Sequence, residues 1–203
     1  MRIMLEGIAG LGLEVLPWDD RATDLRLRSE WIRIAGLAGP DWPDLSDGHL
    51  LGTVGDWLGP YLGGMTRRAQ LSSLDMDSIL RALHTHRQLR EIERLAPDII
   101  QVPTGSRIRV RYAPGEPPVL AVRLQELFGQ TETPRVGGGS VPVLVHLLSP
   151  AGRPLAVTRD LKSFWANAYR EVRKEMRGRY PKHHWPEDPI AAMPTRRTKR
   201  RPP

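Results

Sequence analysis

The chain has 203 residues, enough for one domain of ordinary size or two small ones, and 40% of them are hydrophobic, which suffices for a core. It contains no cysteine, which excludes a disulfide framework, thiolate zinc sites and a cysteine nucleophile, and a cytoplasmic location is the expectation. The N-terminal segment lacks the features of a signal peptide, and no window of about 18 apolar residues predicts a membrane span.

The formal net charge of +7 is confined to the C-terminal end of the chain. Residues 170–203 hold eleven Lys or Arg and four acidic residues, whereas residues 1–169 hold nineteen of each sign. A basic segment of this kind indicates contact with a polyanion, most simply a nucleic acid. A solvated basic tail without a specific partner would have the same composition.

The first third of the chain predicts helices. Leu25, Arg28, Ile32 and Ala35 recur at intervals of three and four residues, which indicates one face of a helix. A second helix is expected after Asp44 or Ser46, either of which can cap it. Two shorter helices are expected in the stretches DMDSILRALH and HRQLREIERLA. Core packing is the expected role of three tryptophans: Trp31, Trp42 and Trp57.

From residue 98 the apolar period falls from that of a helix to that of a strand. In RIRVRY, apolar residues alternate with Arg107, Arg109 and Arg111, which predicts a half-buried strand with three guanidinium groups on its open face. The stretch PVLAVRLQELFG begins like a strand and ends like a helix. The run GGGS predicts a hairpin turn because no lysine follows it, and residues 143–158 predict a β-hairpin.

These elements predict a mixed α+β protein with three parts. Residues 1–96 are expected to form a helical bundle segment. Residues 97–162 are expected to form a small, closed or partly closed β-barrel, because several short strands alternate with Gly and Pro turns. Residues 163–203 are expected to form a helix, then a basic and aromatic arm, then a disordered tail.

The sequence contains no motif for a named chemistry. It has no phosphate-binding loop, no HExxH and no GxSxG. Two histidine pairs, His84 with His86 and His183 with His184, lack carboxylate or thiolate partners at metal-binding spacing. The sequence therefore predicts no catalytic residue and no metal ligand.

Five blocks carry a family resemblance: VPTGSRIRVRY, PPVLAVRLQELFG, LLSPAGRPLAVTRDL, FWANAYREVRKEMRGRYPKHHWPEDP and PTRRTK. In this order they resemble the C-terminal region of the bacterial DEAH-type ATP-dependent RNA helicases of the HrpB family. The earlier stretches LEGIAGLGLEVLPW and WPDLSD resemble the helical segment that precedes that region. The likeness is dense over residues 55–200 and spans nearly the whole chain.

The resemblance implies one part of a larger helicase: the end of a helical bundle, an OB-like β-barrel and a basic C-terminal extension. Such helicases also carry two RecA-like motor domains, whose motifs are absent from this sequence. ATP and Mg²⁺ are therefore expected only in the motor domains, and no catalysis is expected of this chain alone. The expected partners are single-stranded RNA and the motor domains, in cis or in trans.

An OB-like barrel binds single strands through a cationic groove and aromatic platforms. The residues expected to bind RNA are Arg107, Arg109, Arg111, Arg123, Lys174, Arg177, Arg179, Tyr180, Lys182 and Trp185. Tyr180 and Trp185 are expected to stack on bases, within a proline-stiffened arm that the segment RGRYPKHHWPEDP forms. Alternatively, these two rings pin the arm to the barrel and contact no RNA.

Two functions remain open at this point. The first is a non-catalytic, RNA-binding and regulatory part of an ATP-dependent RNA helicase. The second is a protein-interaction module that docks on the motor domains or on another protein. A third possibility, an independent hydrolase, would require a pocket whose acid or base groups have strongly shifted pKa values, and a sequence does not reveal such a pocket.

Overall fold

The computed structural model describes residues 2–198 and confirms a mixed α+β protein. The chain divides into two compact units. The first, called the helical unit, comprises residues 2–96 and Tyr112–Glu116. The second, called the sheet unit, comprises Pro97–Arg111 and residues 117–198. No helix within residues 2–198 is both long and apolar enough to cross a membrane.

The helical unit is built from short helices with side-chain caps. Its α-helices are α1 (Arg2–Leu11), α2 (Asp20–Ile34), α3 (Asp47–Gly52), α4 (Val54–Trp57), α5 (Met76–Ala82) and α6 (His86–Leu95). Ser46, one of the two predicted caps, accepts a hydrogen bond from the backbone N–H of His49. Thr85 forms a reciprocal capping box with Gln88 at the start of α6.

Helix α2 is the centre of the helical unit and packs against α5 and α6. The predicted face of α2 is confirmed at Leu25, Arg28 and Ile32, which are buried. It is wrong at its fourth residue, Ala35, which caps the C-terminal end of the helix and is exposed. Trp31 and Trp57 are buried as expected, while Trp42 is half-buried. The apolar period of the sequence therefore identified the core of this unit, including one buried arginine.

The sheet unit contains seven strands among its described residues. They are β1 (Ile99–Gln101), β2 (Arg107–Arg111), β3 (Val119–Arg123), β4 (Arg135–Val136), β5 (Val141–Pro142), β6 (Leu144–Leu148) and β7 (Pro154–Thr158). Five of them form one sheet in the order β1-β2-β3-β6-β7, in which only the β3–β6 pair is parallel. Strands β4 and β5 form a separate antiparallel hairpin.

The expected OB-like barrel is not confirmed, since the described strands form an open sheet with β1 and β7 at its edges. Strand β1 is only three residues long, and β4 and β5 pair only with each other, so these strands do not close the sheet. The two predicted hairpins are confirmed as β6–β7 and β4–β5. Gly137, Gly138 and Gly139 turn the β4–β5 hairpin at positive φ, which other L-residues rarely adopt.

A long C-terminal helix follows the sheet. It begins as α7 (Leu161–Ser163), where the Asp160 side chain caps the first turn, continues through a π-helical segment (Phe164–Ala168) and ends as α8 (Tyr169–Arg179). The sequence predicted this helix but not its π-helical segment. Residues 180–198 then form the arm, which contains turns and no regular element. The predicted tail beyond residue 198 lies outside the described residues.

Candidate nucleic-acid interface

The five-stranded sheet has one buried face and one open face. Val110, Leu120, Val122, Val145 and Leu147 are buried on the first. Side chains of successive strand residues point to opposite faces, so the residues between these lie on the second, which we call the open face. This alternation confirms the half-buried strand predicted for β2.

The cross-strand register shows which side chains meet on the open face. One row runs from Arg111 on β2 to Val119 on β3 and Leu144 on β6. Another runs from Ala121 on β3 to His146 on β6 and Val157 on β7. Arg107 and Arg109 lie on the same side of β2, and Arg123 ends the open side of β3. Each of these four arginines is exposed. The structure therefore brings the first four predicted RNA-binding residues onto one face.

The strands of this sheet carry no acidic side chain. Their sequences are IIQ, RIRVR, VLAVR, LVHLL and PLAVT, which contain four arginines, one histidine and no Asp or Glu. Within residues 2–198, no carboxylate forms an ion pair with Arg107, Arg111 or Arg123. The open face thus presents positive charge that the sheet itself does not neutralise.

A buried acid near the sheet has a structural role. Glu126 is buried, and its Oε2 accepts hydrogen bonds from the hydroxyls of Thr104, at 2.9 Å, and Ser106. These residues form the turn that leads into β2. Glu126 therefore holds the turn before the arginine strand.

The other predicted cations lie on or just after helix α8. Lys174, Arg177 and Arg179 are exposed on the helix, and Lys182 is exposed in the arm. Arg179 forms an ion pair with Glu175, with 3.3 Å between Nη2 and Oε1. Lys174 and Arg177 border a shallow depression together with Arg170, Arg173 and one acid, Glu171. These cations form a second basic surface within the sheet unit.

Trp185 is buried, with 5% of its surface exposed, so it offers no open ring face to a base. Its indole N–H donates to the carbonyl of Tyr180 at 3.0 Å. The carbonyl of Trp185 accepts from Nε of Arg173 at 3.0 Å, and the neighbouring Pro186 carbonyl accepts from the hydroxyl of Tyr169 at 2.8 Å. These contacts favour the alternative in which Trp185 pins the arm. Tyr180 is half-buried.

The arm is also held by the segment that follows β3. The side-chain amide of Gln125 donates to the carbonyl of His184 at 2.7 Å. The backbone carbonyl of Gln125 accepts from the N–H of Thr195 at 3.0 Å. The N–H of Gly129 donates to the carbonyl of Pro189 at 2.9 Å. Since these bonds span residues 184–195, the arm is an integral layer of the sheet unit.

Aromatic rings fill the space beneath the arm. Phe128 lies 6.2 Å from each of the rings of Trp165, Tyr169 and His184, measured between centroids. Trp165 also packs edge-to-face on Tyr169 at 5.4 Å. Burial raises the pKa of the Tyr169 phenol, which keeps its hydroxyl protonated as a donor. The cluster explains why the arm is aromatic: its rings complete a core.

Arg123 at the end of the open face lies close enough to His183 of the arm for their charges to interact. Burial lowers the pKa of His183, and the positive charge of Arg123 lowers it further. The Nδ1 atom of His183 is buried and has no hydrogen-bond partner within residues 2–198. A neutral His183 beside Arg123 is therefore the expected state at neutral pH, and it leaves the arginine charge directed to solvent.

The structure contains a serine–histidine pair that the sequence did not predict. Ser29 Oγ lies 2.9 Å from His84 Nε2, and His84 Nδ1 donates to the carbonyl of Leu80 at 2.9 Å. Trp42 Nε1 donates to the same serine oxygen at 3.0 Å. Both members of the pair are buried, and a carbonyl occupies the position of the carboxylate in a catalytic triad. The pair is therefore a structural network, and no local sequence signal joins residues 55 positions apart.

Metal ligation receives no support within residues 2–198, where no three His, Asp or Glu side chains converge as ligands. The exposed guanidinium groups of the sheet unit have the chemistry to bind anions.

The sequence matches a known protein family and a known relative. The family model HrpB_C, described as ATP-dependent helicase C-terminal, matches residues 57–189. The chain is 47% identical over 201 residues to the ATP-dependent RNA helicase HrpB of Escherichia coli (strain K12), covering 97% of this chain and 24% of that protein.

Two solved structures are similar. The crystal structure of the E. coli DExH-box NTPase HrpB matches with a TM-score of 0.85 and 46% identity, over 96% of this chain and 24% of that one. The crystal structure of the Escherichia coli DEAH/RHA helicase HrpB matches with a TM-score of 0.71 and 43% identity, over 89% and 23%. The chain spans about a quarter of the length of these relatives. It belongs to the HrpB_C family, the C-terminal region of ATP-dependent helicases.

Proposed function

We propose that this chain binds single-stranded RNA on the open face of the sheet unit, as a non-catalytic part of an ATP-dependent RNA helicase that supports or regulates the motor. The observation that carries the proposal is the set of four exposed arginines on strands that contain no acidic residue. The family membership supports the helicase context, since the relative is named as an RNA helicase.

The spacing of the arginines suits a polynucleotide backbone. Alternate residues of a strand lie about 7 Å apart along its axis. This is close to the distance between successive phosphates of an extended single strand, so Arg107, Arg109 and Arg111 can each meet one phosphate. Guanidinium groups bind phosphate oxygens with two parallel hydrogen bonds, which fixes the direction of the contact.

The arm and helix α8 have a secondary role in this proposal. Lys174, Arg177 and Lys182 add long-range attraction for a polyanion that weakens with salt. Trp185 acts indirectly, by holding the arm beside Arg123 through the contacts with Tyr180 and Arg173. RNA binding in the proposal is therefore centred on the sheet.

The proposal is tested by fluorescence anisotropy of a labelled single-stranded RNA across a salt series. The sheet variant replaces three arginines by alanine: Arg107, Arg111 and Arg123. A matched control removes the same charge from exposed positions of α6: Arg87, Arg90 and Arg94. Each phosphate contact with a single strand contributes about 0.7 to the slope of log K against log salt. The slope should therefore fall by about 2 in the sheet variant and stay nearly unchanged in the control.

Two results would contradict the proposal. One is an absence of RNA binding by the unchanged protein at low salt. The other is an equal loss of affinity in the sheet variant and the α6 control, because binding would then follow total charge and not the open face.

Docking on the motor domains is the second candidate function, and one observation favours it. Ile3 and Leu11 of α1 are 82% and 54% exposed, and they line an apolar groove that also includes Met4, Met65 and Leu71. Apolar surfaces of this kind are commonly covered by protein. Binding of a supplied motor fragment that is insensitive to salt and is lost in Leu11→Asp, but not in Met193→Asp on the arm, would support docking.

A further inference from the structure

His146 occupies a special position on the open face. It lies on β6 near the middle of the sheet, with Ala121 of β3 and Val157 of β7 as its cross-strand neighbours. Alanine is the smallest neighbour that a β-strand commonly provides, and Val157 is 55% exposed. The half-buried imidazole is therefore flanked across the strands by small or apolar side chains.

The other rings of the sheet unit are buried or packed against another ring. Phe128, Phe164, Trp165, Tyr169 and Trp185 are all buried. His184 packs on Phe128, and His183 packs against Tyr180 with 6.0 Å between ring centroids. Among the strands of the five-stranded sheet, His146 has the only aromatic ring.

The distance between His146 and the arginines matches the size of a nucleotide. Strands β2 and β6 are separated by β3, and neighbouring strands lie about 4.8 Å apart, so β6 lies about 10 Å from β2. A nucleotide spans a comparable distance from its phosphate to the far edge of its base. Arg111 faces Val119 and Leu144, one row along the strands from Ala121 and His146. A phosphate on Arg111 therefore places its unpaired base diagonally across β3, toward Ala121 and His146.

We propose that His146 stacks on an unpaired nucleobase of a single strand whose phosphates lie on the arginines of β2. This inference rests on the RNA-binding function proposed above and adds to it a residue that contacts bases. The apolar surface formed by Val119, Leu144 and Val157 accommodates a base without selecting its hydrogen-bonding edge. Stacking on an aromatic side chain is tolerant of base identity, so the site should bind single strands with little sequence preference.

The test compares two oligonucleotides of equal length: a single-stranded RNA and a matched strand that lacks its bases. The variants are His146→Ala, His146→Phe and His146→Leu, with His86→Leu at an exposed position of the helical unit as the control. We expect His146→Ala and His146→Leu to weaken binding of the RNA about tenfold and to leave binding of the abasic strand unchanged. His146→Phe and His86→Leu should retain RNA affinity. A 2-aminopurine base in the RNA should be quenched less in His146→Leu than in His146→Phe.

Each outcome decides the question. If His146→Leu weakens both strands equally, or neither, while the sheet variant of Arg107, Arg111 and Arg123 still loses RNA affinity, the stacking role is wrong and the proposed function stands. If the unchanged protein binds neither strand, both proposals are wrong. His146→Leu and His146→Phe preserve side-chain volume, so the comparison holds even where His146→Ala fails to fold.

Discussion

The two units use arginine in opposite ways. In the helical unit, Arg28 is 5% exposed, donates to the carbonyl of Ala96 at 2.5 Å and forms an ion pair with Glu93, with 2.9 Å between Nη2 and Oε2. Arg33 binds both carboxylate oxygens of the buried Glu30, at 3.0 and 2.7 Å. In the sheet unit, the arginines of β2 and β3 are exposed on strands without acids. Arginine therefore consolidates the first unit and remains exposed on the sheet of the second.

The difference also shows why net charge along the chain is an incomplete guide. Residues 1–169 are neutral in total, so the charge along the sequence indicated a polyanion contact only at the C-terminal end. Within them, residues 1–96 hold eleven basic and fourteen acidic residues, whereas residues 97–169 hold eight basic and five acidic ones. The balance thus conceals a separation of charge between the two units. Folding, and not composition alone, decides which cations remain available to a partner.

The largest effect on stability is expected for Trp185→Ala, because it empties a buried site between the arm and the aromatic cluster. Truncation of a buried tryptophan costs about 3–5 kcal/mol of unfolding free energy. Urea denaturation measures this loss, and Met193→Ala in the same arm is the control, since Met193 is 80% exposed. A loss of RNA affinity without any loss of stability would instead assign Trp185 to base stacking.

Arg28→Ala is the next largest change. It removes the donor to the buried carbonyl of Ala96, and a buried acceptor that loses its hydrogen bond costs about 1–3 kcal/mol. The urea midpoint should fall accordingly, while the RNA affinity of the folded protein should not change. If the substitution weakens RNA binding and leaves stability intact, Arg28 binds RNA and does not stabilise the fold, which contradicts the contrast between the two units.

A smaller effect is expected from pH, through His84. Burial lowers the pKa of His84 below the ordinary value of 6.5, so the unfolded chain binds a proton more readily than the folded one. The stability conferred by the neutral histidine is therefore complete above about pH 6.5 and is lost as the pH falls below it. One such group contributes at most about 1.4 kcal/mol per pH unit. Urea midpoints at pH 7.5 and 5.5 should differ less in His84→Gln, and an unchanged difference would contradict this assignment.

The smallest effect on stability is expected for Arg107→Ala. An exposed side chain on the open face should change the unfolding free energy by less than about 0.5 kcal/mol. The same substitution should reduce the salt slope of RNA binding by about 0.7, as one lost phosphate contact requires. A large loss of stability would show that Arg107 consolidates the fold as Arg28 does, and the contrast between the units would disappear.

Local patterns were sufficient for part of this structure. The alternation in RIRVR predicted the exposed arginines of β2, and the spacing of Leu25, Arg28 and Ile32 predicted the buried face of α2. Both patterns depend only on the geometry of one element.

Contacts between residues far apart in the sequence were not predicted. The parallel pairing of β3 with β6 joins strands that are 20 residues apart, and it produced an open sheet where a barrel was expected. The burial of Trp185 depends on Tyr169 and Arg173 in α8, and the exposure of His146 depends on its neighbours across the sheet. These features depend on which helices and strands pack together, and no short stretch of sequence determines that packing.

Crosslinking of a 4-thiouridine single-stranded RNA to the protein, followed by peptide mapping, tests the central claim most directly, because it locates the bound strand. The account predicts crosslinks to β2, β3 and β6, within residues 107–123 and 144–148. Crosslinks confined to the helical unit or to residues 170–203 would contradict it, and they would show that RNA follows the net charge and not the open face.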